Sequence, residues 1–203
     1  MGYGHPYFDK RVYKKCILSL SKVFDEIYYV VHEKRNEKIS VPENIKDIYI
    51  PNFPIRTVKR IIQYDPVFWK ELNSLEQKFD MIYVHDLPGY RFPAKKLKEL
   101  KKKNNAKIIT EFHEYIPDVV FPSVKPTPLT IAINKFAFEK PMVKISDGII
   151  AVSKFVQKKI LEYNINKETT MVLPNYAHQK LYSIVKRENA IAFVGKMNPG
   201  NGA

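Results

Sequence analysis

The chain has 203 residues, 45% of them hydrophobic and 27% charged, which is the composition of a folded globular domain and excludes an intrinsically disordered one. Thirty-four Lys and Arg against 21 Asp and Glu give a net charge of +13, a balance that favours anionic partners (nucleic acid, an anionic bilayer face or a phosphorylated substrate) without choosing among them. A single cysteine, Cys16, excludes an intramolecular disulfide, no apolar run approaches the roughly 18 residues of a membrane-spanning helix, and residues 1–11 lack the apolar core of a signal peptide.

In chain order, Val12, Cys16 and Leu20, with Tyr13 and Ile17, recur at i, i+4 and predict an amphipathic helix. β-Branched and aromatic runs over residues 26–32 and 47–51 predict two strands. Phe68, Leu72 and Leu75 mark a helix after Pro66, a residue suited to a helix first turn, and Phe68 and Trp69 read as core. Residues 81–85 predict a strand, Ala94, Leu97 and Leu100 a helix after Pro93, and residues 107–111 another strand. A loop with four prolines follows over 117–128. Residues 131–145 have helical spacing, which Pro141 is expected to kink or end. Residues 148–152 predict a strand, and Ser153 caps a helix through Phe155, Val156, Ile160 and Leu161. Residues 170–173 and 190–194 predict two more strands, separated by the weakly periodic stretch 175–189.

Most of these runs are apolar on successive residues, so both of their faces must be covered. Strands alternating with helices at this spacing build βαβ units, hence an α/β, doubly wound parallel sheet of Rossmann-like form. The pattern opens on a helix and closes on a strand with no helix after it. The expected organisation is therefore one domain over residues 1–174, a linker over 175–189, and the start of a second, truncated α/β domain over 190–203.

Ligands on such sheets bind at the carboxyl ends of the strands. Two successive strands end there in a histidine followed by a carboxylate: His85 with Asp86, and His113 with Glu114. An imidazole in that position can donate to a sugar hydroxyl or a carbonyl, or take a proton, or it can simply cap the strand end. Neither histidine sits in a ligand-spaced cluster, so no metal is expected. Gly195 and Lys196 open a turn of small residues through Gly202 that lets backbone amides approach a phosphate; no GK[ST] follows, so it is not a Walker loop. No G-x-S-x-G elbow is present. The stretch 91–107 carries Arg91, Lys95, Lys96, Lys98, Lys101, Lys102, Lys103 and Lys107 against the single acid Glu99. It reads either as a solvated helix face or as a surface that docks on anionic lipid. Only Tyr90 and Phe92 flank it, so nucleic acid is not the expected partner.

Six segments, in order over nearly the whole chain, resemble the N-terminal half of a GT-B glycosyltransferase of the family-4 type. Asp9, Arg11, Val12 and Leu20 are similar to the D-x-R-V start of that family's first helix, and residues 80–86 to its "D-hydrophobic-hydrophobic-x-x-H" strand. Residues 110–114 resemble the strand ending in its site histidine, and Glu139 with residues 146–153 its E…aD-x-v-i-a-v-S segment. Residues 172–175 resemble the interdomain v-i-P-N-G, and residues 193–196 the f-v-G-R that opens the donor domain. Three positions depart from the pattern: Lys196 stands for the arginine, Asn201 for the lysine and Tyr176 for the glycine. Against that family the first strand and its glycine-containing loop are missing before Gly4.

The resemblance implies transfer of a sugar, with retention, from a nucleotide diphosphate sugar to an acceptor hydroxyl. It implies no bound cofactor and no metal. The chain would be the acceptor-side half, inactive alone, serving envelope polysaccharide or glycolipid synthesis with a carbohydrate or lipid-linked acceptor. The resemblance implies His113 as the catalytic residue, His85, Asp86, Glu114, Ser153 and Asn175 on the substrate, and Gly195 and Lys196 on the donor diphosphate. The expected location is cytoplasmic, peripheral on the inner membrane face. The competing reading is a non-catalytic α/β module that binds an anionic partner.

Overall fold

The computed structural model describes residues 10–31, 40–50, 66–85, 94–113 and 127–174. The expected linker and second-domain strand lie outside these residues, as does most of the proline-rich loop.

Helix α1 is wound as a π-helix over Lys10–Ile17 and as an α-helix over Leu18–Leu20. It buries Val12, Tyr13, Cys16 and Ile17, the apolar positions that repeat along its sequence. Strands β1 (Ile27–Val31) and β2 (Ile45–Tyr49) follow, then helix α2 (Pro66–Ser74) and strand β3 (Met81–His85). Helix α3 (Ala94–Asn104) buries Leu97 and Leu100 and leads into strand β4 (Lys107–Phe112). Helix α4 is wound as α over Pro128–Ile133, as π over Asn134–Glu139 and as α again over Lys140–Ile145. Strand β5 (Gly148–Ala151), helix α5 (Lys154–Leu161), a 3-10 turn (Lys167–Thr169) and strand β6 (Thr170–Val172) complete the described chain.

Two expectations need correction in detail. β2 begins two residues earlier than a search for consecutive apolar residues places it. Its only buried member is Ile45, opposite Ile27, and Lys46, Asp47 and Tyr49 are exposed. A strand with one wet face alternates rather than running apolar. Pro141 does not end α4. Proline lacks the N–H for an i→i−4 bond and its ring crowds the carbonyl four residues back. The turn before it is widened instead, Lys140 N–H donating to Lys135 O, five residues back. At the helix start Thr127 and Thr130 form a reciprocal capping box.

Among the described residues all strand pairs are parallel. They form two sheets, β1–β2 and β3–β4–β5–β6. The larger core joins Val30 of β1 to Ile82, Val84, Ile108, Phe112, Ile149 and Ala151 of the four-stranded sheet, beneath residues from α2 to α5 that include the buried Trp69. Tyr29 and Val31 point the other way, into a smaller core with Val12, Tyr13 and Ile17 of α1. The layers are therefore helix, sheet, helix, as a doubly wound fold requires. Among the described residues no ladder joins β1 to β3; between them lies a cleft of about 340 Å³, lined on one side by Ile27, Tyr28 and Val30 and on the other by Met81 and Ile82. Tyr28 and Phe79 meet edge to face across it, ring centroids 5.4 Å apart, which places the starts of the two strands side by side.

Candidate functional site

Side chains alternate between the faces of a strand. In β3, Ile82 and Val84 enter the larger core, so Tyr83 and His85 lie on the opposite face; in β4, Ile108 and Phe112 enter it, so Glu111, and His113 just beyond the strand, lie opposite. The β3–β4 register sets His85 beside Glu111. Helix α1 covers this second face and brings Cys16 down onto it. Two strand ends and one helix thus gather five functional side chains.

Glu111 is at the centre. Its Oε1 is 2.8 Å from His113 Nε2, and its Oε2 is 3.2 Å from His85 Nδ1. Oε2 also accepts from the Tyr83 hydroxyl, and from the Cys16 thiol at 3.7 Å. The two imidazole rings have centroids 4.5 Å apart. Glu111 is 1% exposed, His85 2% and His113 8%, so the cluster is shielded from bulk water and its electrostatics are strong.

Burial alone would raise the Glu111 carboxyl, but the close approach of His113 and the hydrogen bonds from His85 and Tyr83 outweigh it and hold the group well below the usual carboxylate range. Burial drives His85 below the ordinary histidine range, against the opposing pull of Glu111. Burial, then the Glu111 charge, pushes the Cys16 thiol up to about 11. Tyr83 is raised by burial, then by the charges of Cys16 and Glu111. The site therefore favours an ionised carboxylate at Glu111 beside neutral forms of His85, Cys16 and Tyr83.

Cys16 Sγ, His85 Nδ1 and Glu111 Oε2 lie within 4.8 Å of one another, a sulfur, nitrogen and oxygen set of the kind that zinc takes. Spacing along the sequence could not reveal this grouping, because the donors come from three separate elements. Tyr83, Cys16 and His85 converge on Oε2, while His113 Nε2 lies beside Oε1 at ion-pair distance without hydrogen-bond geometry.

Of the residues predicted from sequence, the structure brings His85 and His113 together at the strand ends. Ser153 sits past the end of β5 and caps α5, its Oγ accepting from Val156 N–H at 3.2 Å. Asp86, Glu114, Asn175, Gly195 and Lys196 lie outside the described residues. In the basic stretch, Lys101 bonds Asp147 Oδ2 at 2.6 Å and Lys103 bonds Asn73 O at 2.7 Å, so both brace the fold. Lys95, Lys98 and Lys102 are exposed on one face of α3. The sequence reading missed Glu111, Tyr83 and Cys16 as site residues. The signal for the first two was the two-residue period, which places Tyr83 with His85 and Glu111 with His113.

A family model for Glycosyltransferase Family 4 matches residues 24–177, more than three-quarters of the chain's length. Comparison with curated proteins gives no match. The matched span runs from β1 through β6 and contains Tyr83, His85, Glu111 and His113. A parallel α/β fold, histidines at adjacent strand ends and a match of this extent agree, and the chain belongs to Glycosyltransferase Family 4.

Proposed function

We propose that this chain is the acceptor-side domain of a retaining glycosyltransferase that moves a sugar from a nucleotide diphosphate sugar to an acceptor hydroxyl. The observation that carries the reading is the pair of imidazoles on one buried carboxylate at the carboxyl ends of β3 and β4, where open α/β sheets bind their ligands. In this reading His113 contacts the transferred sugar and fixes its placement. His85, Asp86, Glu114, Ser153 and Asn175 serve the substrate side, and Gly195 with Lys196 face the donor diphosphate. Charge builds on that diphosphate as it departs, so a cation facing it stabilises the transition state most. Lys196 has that role; as a lysine it supplies a point charge rather than the bidentate fork of an arginine. The nucleotide sugar is a substrate, and the reading invokes neither a metal nor a resident cofactor.

The acceptor is a carbohydrate or lipid-linked hydroxyl used in envelope polysaccharide or glycolipid synthesis, and the protein works in the cytoplasm, peripheral on the inner membrane face. Exposed Lys95, Lys98 and Lys102 support that placement. The test is sugar transfer by the whole protein, read as nucleoside diphosphate release from a set of nucleotide sugars with oligosaccharide and lipid acceptors. His113→Ala should lower the rate by about 100-fold or more with the fold intact. Transfer at the unsubstituted rate would remove His113 from the mechanism.

A further inference from the structure

We propose that Cys16, His85 and Glu111 form a zinc site that pins helix α1 to the ends of β3 and β4. The site goes beyond the transferase reading, which invokes no metal.

The three donor atoms form a compact triangle. Cys16 Sγ is 3.7 Å from Glu111 Oε2 and 4.0 Å from His85 Nδ1, and the oxygen and nitrogen are 3.2 Å apart. Ligands held at roughly 2.0 to 2.3 Å from a tetrahedral zinc stand roughly 3.3 to 3.7 Å from one another. The triangle is thus close to one face of that tetrahedron, and a small shift of the sulfur completes it. Hydrogen bonding accounts less well for the grouping, because a thiol is a weak donor and its two contacts here are long.

The donor set selects the metal. Magnesium and calcium take oxygen ligands, whereas a thiolate beside an imidazole and a carboxylate suits zinc. Charge agrees with this choice. One thiolate and one carboxylate cancel Zn²⁺, so the filled site is neutral, as its burial demands. On binding, the Cys16 S–H bond breaks, the proton passes to water and a sulfur–zinc bond forms. Glu111 binds as the carboxylate, and His85 as the neutral ring through the Nδ1 lone pair. Three protein ligands leave a fourth position. The Tyr83 hydroxyl, which bonds to Glu111 Oε2, is at hand to fill that position or to hold a water there.

The ligands come from α1, β3 and β4. A metal on them would fasten α1 to the four-stranded sheet by coordinate bonds, and a metal that binds only the folded chain stabilises it.

Cobalt(II) is the probe, because on such a site it gives a sulfur-to-metal charge-transfer band. The chain has a single cysteine, so that band reports Cys16. Titrated into the full chain after chelator treatment, cobalt should raise the band to a plateau at about one equivalent, and zinc should then erase it. No band in the wild-type chain overturns the proposal, and a band that zinc does not erase overturns zinc as the metal. Zinc should also raise the thermal midpoint of the chelator-treated chain; an unchanged midpoint overturns the pinning of α1. Glu111→Gln and His85→Ala should each weaken zinc binding by about 100-fold or more, read by competition with a chromophoric chelator. Unchanged affinity in either folded variant overturns the site as assigned. Should both variants fail to fold, the wild-type cobalt band decides. The titration needs no sugar or nucleotide. A zinc-binding chain whose whole protein transfers no sugar would sink the transferase reading alone, and a transferase without the band would sink this proposal alone.

Discussion

Cys16 lies 69 positions from His85 and 95 from Glu111 in the sequence, yet its thiol is part of the same buried cluster. With its thiol pushed up to about 11, it holds little of the reactive thiolate at pH 8. Alkylation of the native protein by iodoacetamide at that pH should be about 100-fold or more slower than in denaturant. Equal rates would mean that the thiol is neither buried nor next to a carboxylate. The two histidines were legible at this scale because each closes an apolar run, and such runs end where ligands bind. Glu111 was half legible: its place on the histidine face follows from the two-residue period, but its role depends on the register with β3. Cys16 was legible only as one apolar position in the stripe of α1. What α1 covers depends on tertiary packing, and no local pattern carries that.

Among the elements, the junction of α3, β4 and β5 turns on Asp147. Its carboxylate accepts from Lys101 Nζ at 2.6 Å and from Ile108 N–H at 2.8 Å, and its own N–H donates to Ile108 O. Partial burial raises its carboxyl, but the bonds from Lys101 and Ile108 outweigh this and hold it below the usual range. A carboxyl lowered by folding contributes stability that is full above its unfolded value, roughly pH 4, and is lost as pH falls through the folded value. Asp147→Asn should therefore cost about 1 to 2 kcal/mol in urea unfolding at pH 7, and the difference from wild type should shrink as the pH falls towards 3. A gap independent of pH would deny the ion pair its part. The order of helices and strands was readable because apolar period and proline placement agree along most of the chain. β2 and the middle of α4 escaped for separate reasons: β2 keeps a wet face, and α4 answers Pro141 by widening a turn rather than stopping.

For the molecule as a whole, the charge of +13 is not spread idly over the surface. Lys101 and Lys103 are occupied with the fold, which leaves Lys95, Lys98 and Lys102 as the outward basic face of α3. At roughly 1 kcal/mol for each basic residue near an anionic surface, replacing these three by glutamate should weaken sedimentation with phosphatidylserine vesicles by about 100-fold or more. Added salt should weaken wild-type binding as well. Equal sedimentation with neutral vesicles would reduce the lysines to a solvated face. The net charge alone pointed to polyanions; the structure separates the structural lysines from the outward ones.

The interrupted ladder between β1 and β3 bears on how the molecule breathes. β4 is paired on both flanks, whereas β1 and β2, among the described residues, are joined to the rest by side chains and not by backbone bonds. Such a unit opens below the global unfolding free energy. Amides of β1 and β2 should exchange with deuterium at least about tenfold faster than those of β4, and uniform protection would show one indivisible unit. The boundary passes through the histidine cluster, since α1 packs on β1 while Glu111 belongs to β4. Each excursion that frees β1 would draw Cys16 off the carboxylate, so thiol labelling and amide exchange should report one shared opening.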